Sequence, residues 1–248
     1  MTWDPVANTL IADGIGAGSW EEVNIISKGA NYGWAEREGP EQVFVGGPNG
    51  GRTGSRVNPA IPFPSPDTIM VDGLEKPVSP MYPAAAFSHR DGASIGSGFV
   101  YRGKLMPQLV GKYLFSDIVT SRLFYCDLAE MLATRGLSNK LAEIHELQVV
   151  YKSPYENSAQ GAVKRRMFDI VADAYSHKQG IAIPKVALPG MAALTAAGQL
   201  DPYGLAYGGG RADLRLSMDS DGEIYLTSKS DGMIRKLMAV VTPPQSRR

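Results

Sequence analysis

The chain has 248 residues, of which 44% are hydrophobic, so it can bury a core of its own and is neither a disordered tail nor a small disulfide-stapled domain. Its 28 glycines and 17 prolines argue against a helical bundle, and its 25 basic residues balance 25 acidic ones. This balance argues against a nucleic-acid or anionic-membrane partner, and no apolar run approaches the roughly 18 residues that a membrane span requires. One cysteine, Cys126, excludes an internal disulfide, and the first residues carry no signal-peptide pattern.

Strand patterns dominate the first half of the chain and its end, which predicts an all-β fold. The short segments rich in β-branched and aromatic residues are Thr9–Asp13, Glu22–Ser27, Gly98–Arg102, Tyr113–Asp117, Arg122–Cys126 and Glu146–Tyr151. Between Leu214 and Leu237, Asp-Gly pairs at 221–222 and 231–232 separate alternating segments. Because Asp-Gly is a strong hairpin signal, three antiparallel strands joined by tight turns are predicted there.

Helix is predicted only in the middle of the chain. Leu128–Thr134 is a short candidate, and Ala162–Tyr175 carries an apolar stripe at helical spacing. The segment 153–205 otherwise resembles a loop, which is long for a compact domain, so we expect an insertion or a lid. The glycine-rich loop Gly46–Arg52 lacks the Gly-Lys-Ser/Thr ending of a phosphate cradle.

Two short motifs match known sites in letters but not in context. Gly92–Gly96 fits the Gly-x-Ser-x-Gly nucleophile elbow, yet a strand pattern follows it where the elbow needs a helix. Asp219–Glu223 resembles part of a calcium loop, but Ser228 stands where the twelfth-position Glu belongs. A glycine-tolerant strand start and a hairpin turn explain these segments better.

The histidines give one candidate for a functional role. His145 and His177 are expected at the surface, and no pair at helical spacing supports a zinc site, so we assign no metal ligands. His89 lies beside Arg90 and Asp91 at the start of a strand, where a functional and a structural role are about equally supported.

Several segments together resemble one family. Glu21–Trp34 (EEVNIISKGANYGW), Ser94–Gly103 (SIGSGFVYRG) with Gly111–Asp117 (GKYLFSD), and Asp219–Leu226 (DSDGEIYL) follow one another in the order found in that family. They are similar to motifs of the soluble pyrroloquinoline-quinone (PQQ)-dependent glucose/sorbosone dehydrogenases, with Ala35 in place of the usual proline.

The resemblance implies a six-bladed β-propeller that binds PQQ and calcium and oxidises a sugar hydroxyl by hydride transfer to the quinone. A blade takes about 40 to 45 residues. We count three blade-like units, at about 5–60, 81–152 and 206–240, within a single partial domain that spans residues 1–248. The chain is therefore expected to be the carboxy-terminal part of such an enzyme, with an open sheet edge that permits self-association. A periplasmic or secreted location is expected for the parent protein.

The resemblance also nominates cofactor-binding residues. The family's quinone-binding arginines precede its last Asp-Gly hairpin, where this chain has Arg211 and Arg215, although their spacing differs from the family's. Guanidinium groups suit the quinone's carboxylates because they donate paired hydrogen bonds. Arg90 and His89 complete the set of candidates, and an Arg–Asp–Arg structural cluster around Asp213 is the alternative for the first pair.

The expected activity depends on what this chain lacks. In the family a histidine of the earlier blades takes the sugar proton, and the segment that carries it has no counterpart here. His89 is the one weak candidate for that base, so we expect the isolated chain to be inactive. The alternative function is a non-catalytic, propeller-like binding or interaction module, because fold alone does not separate the two.

Overall fold

The structure is a computed structural model that describes residues 1–34, 36–45, 52–56, 66–137, 140–151, 163–165, 167–180 and 212–241. These residues are mostly β, and none of the several sheets that they form is closed, which confirms the all-β class. The strands are β1 Thr2–Asp4, β2 Thr9–Gly14, β3 Trp20–Ile25, β4 Ala30–Asn31, β5 Arg37–Glu38, β6 Glu41–Val45, β7 Arg52–Arg56, β8 Asp67–Val71, β9 Leu74–Pro80, β10 Ala85–Ser88, β11 Ile95–Val100, β12 Lys112–Asp117, β13 Leu123–Asp127, β14 His145–Tyr151, β15 Val163–Arg165, β16 Leu214–Met218, β17 Ile224–Ser228, β18 Met233–Lys236 and β19 Val240–Val241. The helices are a 3-10 turn, Pro107–Leu109, and two α-helices, α1 Leu128–Thr134 and α2 Met167–Gln179. None of the helices described here is long and apolar enough to cross a membrane.

The chain divides into two compact units. Unit 1 comprises Met1–His89 and Asp127–Ile144, and unit 2 comprises Arg90–Cys126 and His145–Arg248. The prediction of one partial domain in three units stays a prediction.

Unit 1 is built on a four-stranded antiparallel sheet in the order β1-β2-β3-β10. Its core is apolar, since Ile11, Val23 and Ala85 are fully buried. Two smaller sheets, β4-β9-β8 and β5-β6-β7, come from the chain between β3 and β10. Helix α1 packs here, with Thr134 Oγ1 donating to the Ala84 carbonyl at 3.2 Å.

Unit 2 contains a longer antiparallel sheet in the order β11-β12-β13-β14-β15, and β19 also pairs with β14. The three-stranded sheet β16-β17-β18 lies beside it, because the Ala212 and Leu214 amides donate to the carbonyls of Val119 and Ile118 at 2.9 and 3.2 Å. The two sheets and α2 share one buried apolar cluster.

The hairpins predicted from the two Asp-Gly pairs at the end of the chain are confirmed. Gly222 and Gly232 have φ of 80° and 71°, and the strands β16, β17 and β18 pair antiparallel as predicted. The turn conformation that these glycines adopt is strained for residues with a Cβ, which explains why the motif indicates a hairpin.

One helix prediction is confirmed and the other is shifted. Helix α1 has the predicted bounds, and the Asp127 carboxylate caps it by accepting from the Ala129 amide at 3.0 Å. The second prediction started at Ala162, but Val163–Arg165 forms strand β15 because it pairs with the edge of β14. The predicted stripe is present in α2, where Met167, Ile170, Val171 and Ala174 are buried.

Other predictions lie outside the described residues. These are most of the 153–205 insertion, the greater part of the Gly46–Arg52 loop, and Arg211.

Candidate functional site

Unit 1 brings His89 against a buried carboxylate. Strand β10 pairs with β3 so that Phe87 lies opposite Glu21, and His89 follows β10 directly. The His89 Nε2 and Glu21 Oε1 atoms are 2.6 Å apart, with the Glu21 side chain fully buried and that of His89 22% exposed. A buried carboxylate fixes the orientation of an imidazole and stabilises its protonated form, which is the arrangement used by histidine bases.

The loop between β2 and β3 is fixed by carboxylates of the same unit. The amides of Ala17, Gly18 and Ser19 donate to the Glu38 carboxylate, with nitrogen–oxygen distances of 3.3 Å from Gly18 and 2.9 Å from Ser19. The Gly16 amide donates to Glu21 at 3.3 Å. These contacts hold the His89–Glu21 pair in place, because the His89 amide itself donates to the Ser19 carbonyl at 2.8 Å.

A third carboxyl beside this pair binds protons more readily than usual. Burial raises the pKa of Glu22, and the nearby charges of Glu38 and Glu21 raise it further, against hydrogen bonds from Asn24 and Gly39 that lower it. Unit 1 therefore groups an imidazole with several carboxyl groups, of which Glu22 has a raised pKa, and such groupings are able to perform acid–base chemistry.

Of the two arginine candidates near the last hairpin, the structure describes one, Arg215. Arg211 is outside the described residues. Arg215 lies on β16 with an exposed side chain, whose Nη1 donates to the Leu214 carbonyl at 3.0 Å. Leu214 is buried and Arg215 is exposed, so the two side chains lie on opposite faces of β16, as strand geometry requires. Asp213 is half-buried, with φ of 48°, and Arg90 is exposed and engaged in a contact of its own. Whether any of these residues binds a cofactor stays a prediction.

Arg122 lies directly before β13 and is held by Glu146 of β14. Its Nε and Nη2 atoms donate to the two oxygens of Glu146 at 3.0 and 2.8 Å. Burial lowers the pKa of Arg122, but the hydrogen bonds and charge of Glu146 raise it by more. This paired geometry commits the guanidinium to a structural contact within the sheet.

Two buried carboxylates in unit 2 fix loops, and the sequence reasoning missed both. Glu223 accepts from the Tyr101 hydroxyl at 2.7 Å and from the Lys104 and Leu105 amides at 2.7 and 3.1 Å. Burial and this contact raise the pKa of Tyr101 to about 12. Asp117 accepts from the amides of Ala93, Val119 and Thr120. The signals available in the sequence were Asp-Gly-Glu at 221–223 and Ser-Asp at 116–117.

The short motifs behave as their contexts predicted. Strand β11 follows Ser94, so the nucleophile-elbow geometry does not form. Asp219 closes the β16–β17 turn by accepting from the Asp221 and Glu223 amides at 3.0 and 2.9 Å. Within the described ranges, no group of three or more His, Cys, Asp or Glu side chains is arranged to hold a metal ion.

Comparisons with known proteins add a partial similarity. Two Arabidopsis thaliana proteins match: "HIPL1 protein", 32% identical over 105 residues, and "HIPL2 protein", 31% identical over 115 residues. The matches cover 42% and 46% of this chain, and the chain spans only 13% and 14% of the length of these relatives. No protein-family model matches the chain. No solved structure matches it.

Proposed function

We propose that this chain is the carboxy-terminal part of a β-propeller of the PQQ-dependent sugar dehydrogenase type, and that it contributes side chains to the cofactor cleft without supplying the family's base. The order of the sheets carries this proposal. Strands β1-β2-β3-β10 form an antiparallel four-stranded row, β11-β12-β13-β14 form a four-stranded row within a six-stranded sheet that continues into β15 and β19, and β16-β17-β18 form a three-stranded row. Four-stranded antiparallel sheets are the blades of a propeller.

The segments that resemble the family lie on these rows. Glu21–Trp34 includes most of β3, Ser94–Gly103 includes β11, and Asp219–Leu226 includes the turn into β17. The motifs thus contribute to strands of three successive rows, as successive blades would require. This agreement between motif and strand supports the family proposal more strongly than either observation alone.

The described residues fit the quinone in part and do not fit calcium. The exposed guanidinium of Arg215 is chemically suited to a carboxylate of the quinone. Bound PQQ would supply a hydride acceptor for a sugar hydroxyl. The described part of the chain offers no three-residue set of metal ligands, so we derive no step through calcium.

His89 would serve as a proton acceptor only if a sugar reached its ring. The contact with Glu21 would stabilise the imidazolium that forms when His89 takes a proton. Because the imidazole is 22% exposed, most of its surface is covered by the protein. We therefore propose a primarily structural role for the pair, in which it joins the end of β10 to β3.

The alternative function, a non-catalytic binding or interaction module, is favoured by a separate observation. Asp117 and Glu223 in unit 2 and Glu38 in unit 1 each accept backbone amide hydrogen bonds that fix a loop. A binding module also needs loops of fixed geometry, and these buried carboxylates provide it. The two functions differ in whether PQQ binds.

We predict that the chain will not oxidise aldoses when it is supplied with PQQ, calcium and an artificial acceptor dye. General-base catalysis is typically worth about 10²- to 10⁴-fold, and His89 is the one candidate for the base. The measurement is dye reduction with glucose as substrate, compared with His89→Ala and with His177→Ala, an exposed control. Turnover that His89→Ala abolishes and His177→Ala leaves intact would show that the base is present and that its proposed absence is wrong.

A further inference from the structure

The hairpin formed by β8 and β9 exposes apolar side chains on both of its faces. Ile69 is 51% exposed and Met70 is 67% exposed, and successive residues of a strand point to opposite faces. A hairpin with neither face covered is marginally stable in water. Among the described residues, the other strand in this sheet is β4, which pairs with β9 over two residues. The hairpin therefore presents apolar surface that the described part of unit 1 leaves uncovered.

No strand of the described residues pairs with the outer edge of β8. β8 ends its sheet in the order β4-β9-β8. Asp72 and Gly73 have φ of 53° and 76°, which is the two-residue turn that makes Val71 and Leu74 a hydrogen-bonded pair. Hydrogen-bonded pairs alternate along an antiparallel ladder, so the next is Ile69 with Lys76. Residues 68 and 70, whose pairs with Pro77 and Glu75 flank the Ile69–Lys76 pair, consequently point their amide groups away from β9.

The hydrogen bonds agree with this alternation. The Thr68 amide donates to the carboxylate of its own neighbour, Asp67, at 2.8 Å. This contact is exposed and local, so the Thr68 amide can readily donate to another acceptor instead. Nothing in the β8 sequence blocks the edge, since it contains no proline, lysine or bulge, and its register with β9 is continuous.

We propose that β8 of one copy pairs antiparallel with β8 of a second copy, about a two-fold axis at Ile69. This register sets Thr68 of each copy opposite Met70 of the other, so the outward amide and carbonyl groups of both residues form hydrogen bonds across the interface. The two Ile69 side chains then contact each other, and Met70 is covered by the neighbouring strand. The interface is independent of any quinone and so stands or fails separately from the proposed function.

The charge on β8 selects this arrangement. Asp67 is the one charged residue of the strand. The antiparallel register places the two Asp67 carboxylates four residues apart along the strands, about 13 Å at roughly 3.3 Å per residue. An in-register parallel pairing would place them side by side, where like charges destabilise a sheet.

The first test removes the outward amide hydrogen alone. In Met70→Pro the ring replaces an N–H that does not bond β9, so the hairpin ladder is kept while two interface hydrogen bonds are lost. Sedimentation equilibrium should show a dimer for the unchanged chain and a dissociation constant raised at least about tenfold for Met70→Pro. Ile234→Ser, which removes another exposed apolar side chain, should leave the constant unchanged. A monomer in the unchanged chain, or a dimer that Met70→Pro does not weaken, would overturn the proposal.

The second test traps the two-fold contact directly. Directly opposed residues outside the hydrogen-bonded pairs have Cα atoms about 4.5 Å apart, within reach of a disulfide. Under mild oxidation Ile69→Cys should form a covalent dimer, whereas the exposed control Val6→Cys should remain monomeric on a non-reducing gel. The natural Cys126 is buried and should not react. Equal cross-linking of the two variants would indicate random collision and would overturn the proposed interface.

Discussion

Replacing Glu223 with alanine is expected to lower the free energy of unfolding of unit 2 by about 3 to 5 kcal/mol. The carboxylate is nearly fully buried and accepts hydrogen bonds from the Tyr101 hydroxyl and from the Lys104 and Leu105 amides. A buried donor left without a partner costs about 1 to 3 kcal/mol, and alanine leaves one such donor, the Tyr101 hydroxyl, together with the part-buried Lys104 and Leu105 amides. Gly103 lies so close to this carboxylate that a Cβ there would come within 2.5 Å of it, so the loop backbone packs directly against Glu223.

Urea unfolding followed by tyrosine and tryptophan fluorescence measures this effect. Glu36→Ala removes an exposed carboxylate and should change the midpoint little. Tyr101→Phe removes one of these three hydrogen bonds and also the acceptor of the buried Met106 amide, which donates to the Tyr101 hydroxyl at 2.9 Å, so it should cost at least about 1.5 to 3 kcal/mol. In a double-mutant cycle the two costs should not add, because both variants break the same contact. A Glu223→Ala midpoint equal to that of Glu36→Ala would show that the loop does not depend on this carboxylate.

Replacing Asp117 with alanine is expected to destabilise unit 2 by a similar amount, about 3 to 5 kcal/mol, and to loosen the strand that carries Arg215. The fully buried Asp117 carboxylate accepts from the Val119 and Thr120 amides at 2.8 and 2.9 Å and from the Ala93 amide at 2.5 Å. The turn that it holds supplies the two carbonyls that bond the amides of Ala212 and Leu214. Loss of the carboxylate should therefore also weaken the hydrogen bonds that hold β16.

Hydrogen exchange measured by mass spectrometry separates this effect from general destabilisation. In conditions where the protein remains folded, Asp117→Ala should speed exchange in residues 212–218, while exchange in β2 and β3 of unit 1 should not change. Ser97→Ala, at an exposed position of β11, is the control and should alter neither region. Unchanged protection of β16 in Asp117→Ala would contradict the role of this turn.

The local elements were largely predictable from the sequence. The hairpins at Gly222 and Gly232 follow from the φ that each turn requires, and α1 follows from a capping aspartate before an apolar helix. The shift in α2 has a tertiary cause, since Val163–Arg165 becomes a strand only because β14 offers an edge. Local propensity does not contain that information.

Long-range pairing was not predictable. Strand β10 completes the sheet of β3 although the chain from β4 to β9 lies between them, and no local sequence pattern reveals a pairing over that distance. The same pairing joins His89 to Glu21, so the candidate histidine was found from its neighbours while its partner was not. Charged residues are expected at the surface, which is why the buried roles of Glu223, Asp117 and Glu38 were missed.

The most direct test of the central claim is equilibrium binding of PQQ to the chain, measured by dialysis with absorbance detection. We expect saturable binding that Arg215→Ala weakens by about 1.5 to 3 kcal/mol, the usual worth of a hydrogen bond to a charged group, with no change in the unfolding midpoint. Lys229→Ala, which removes an exposed cation two residues beyond the cross-strand partner of Arg215, should bind PQQ as the unchanged chain does. Absence of saturable binding, or an affinity that Arg215→Ala leaves unchanged, would contradict the account and favour the non-catalytic module.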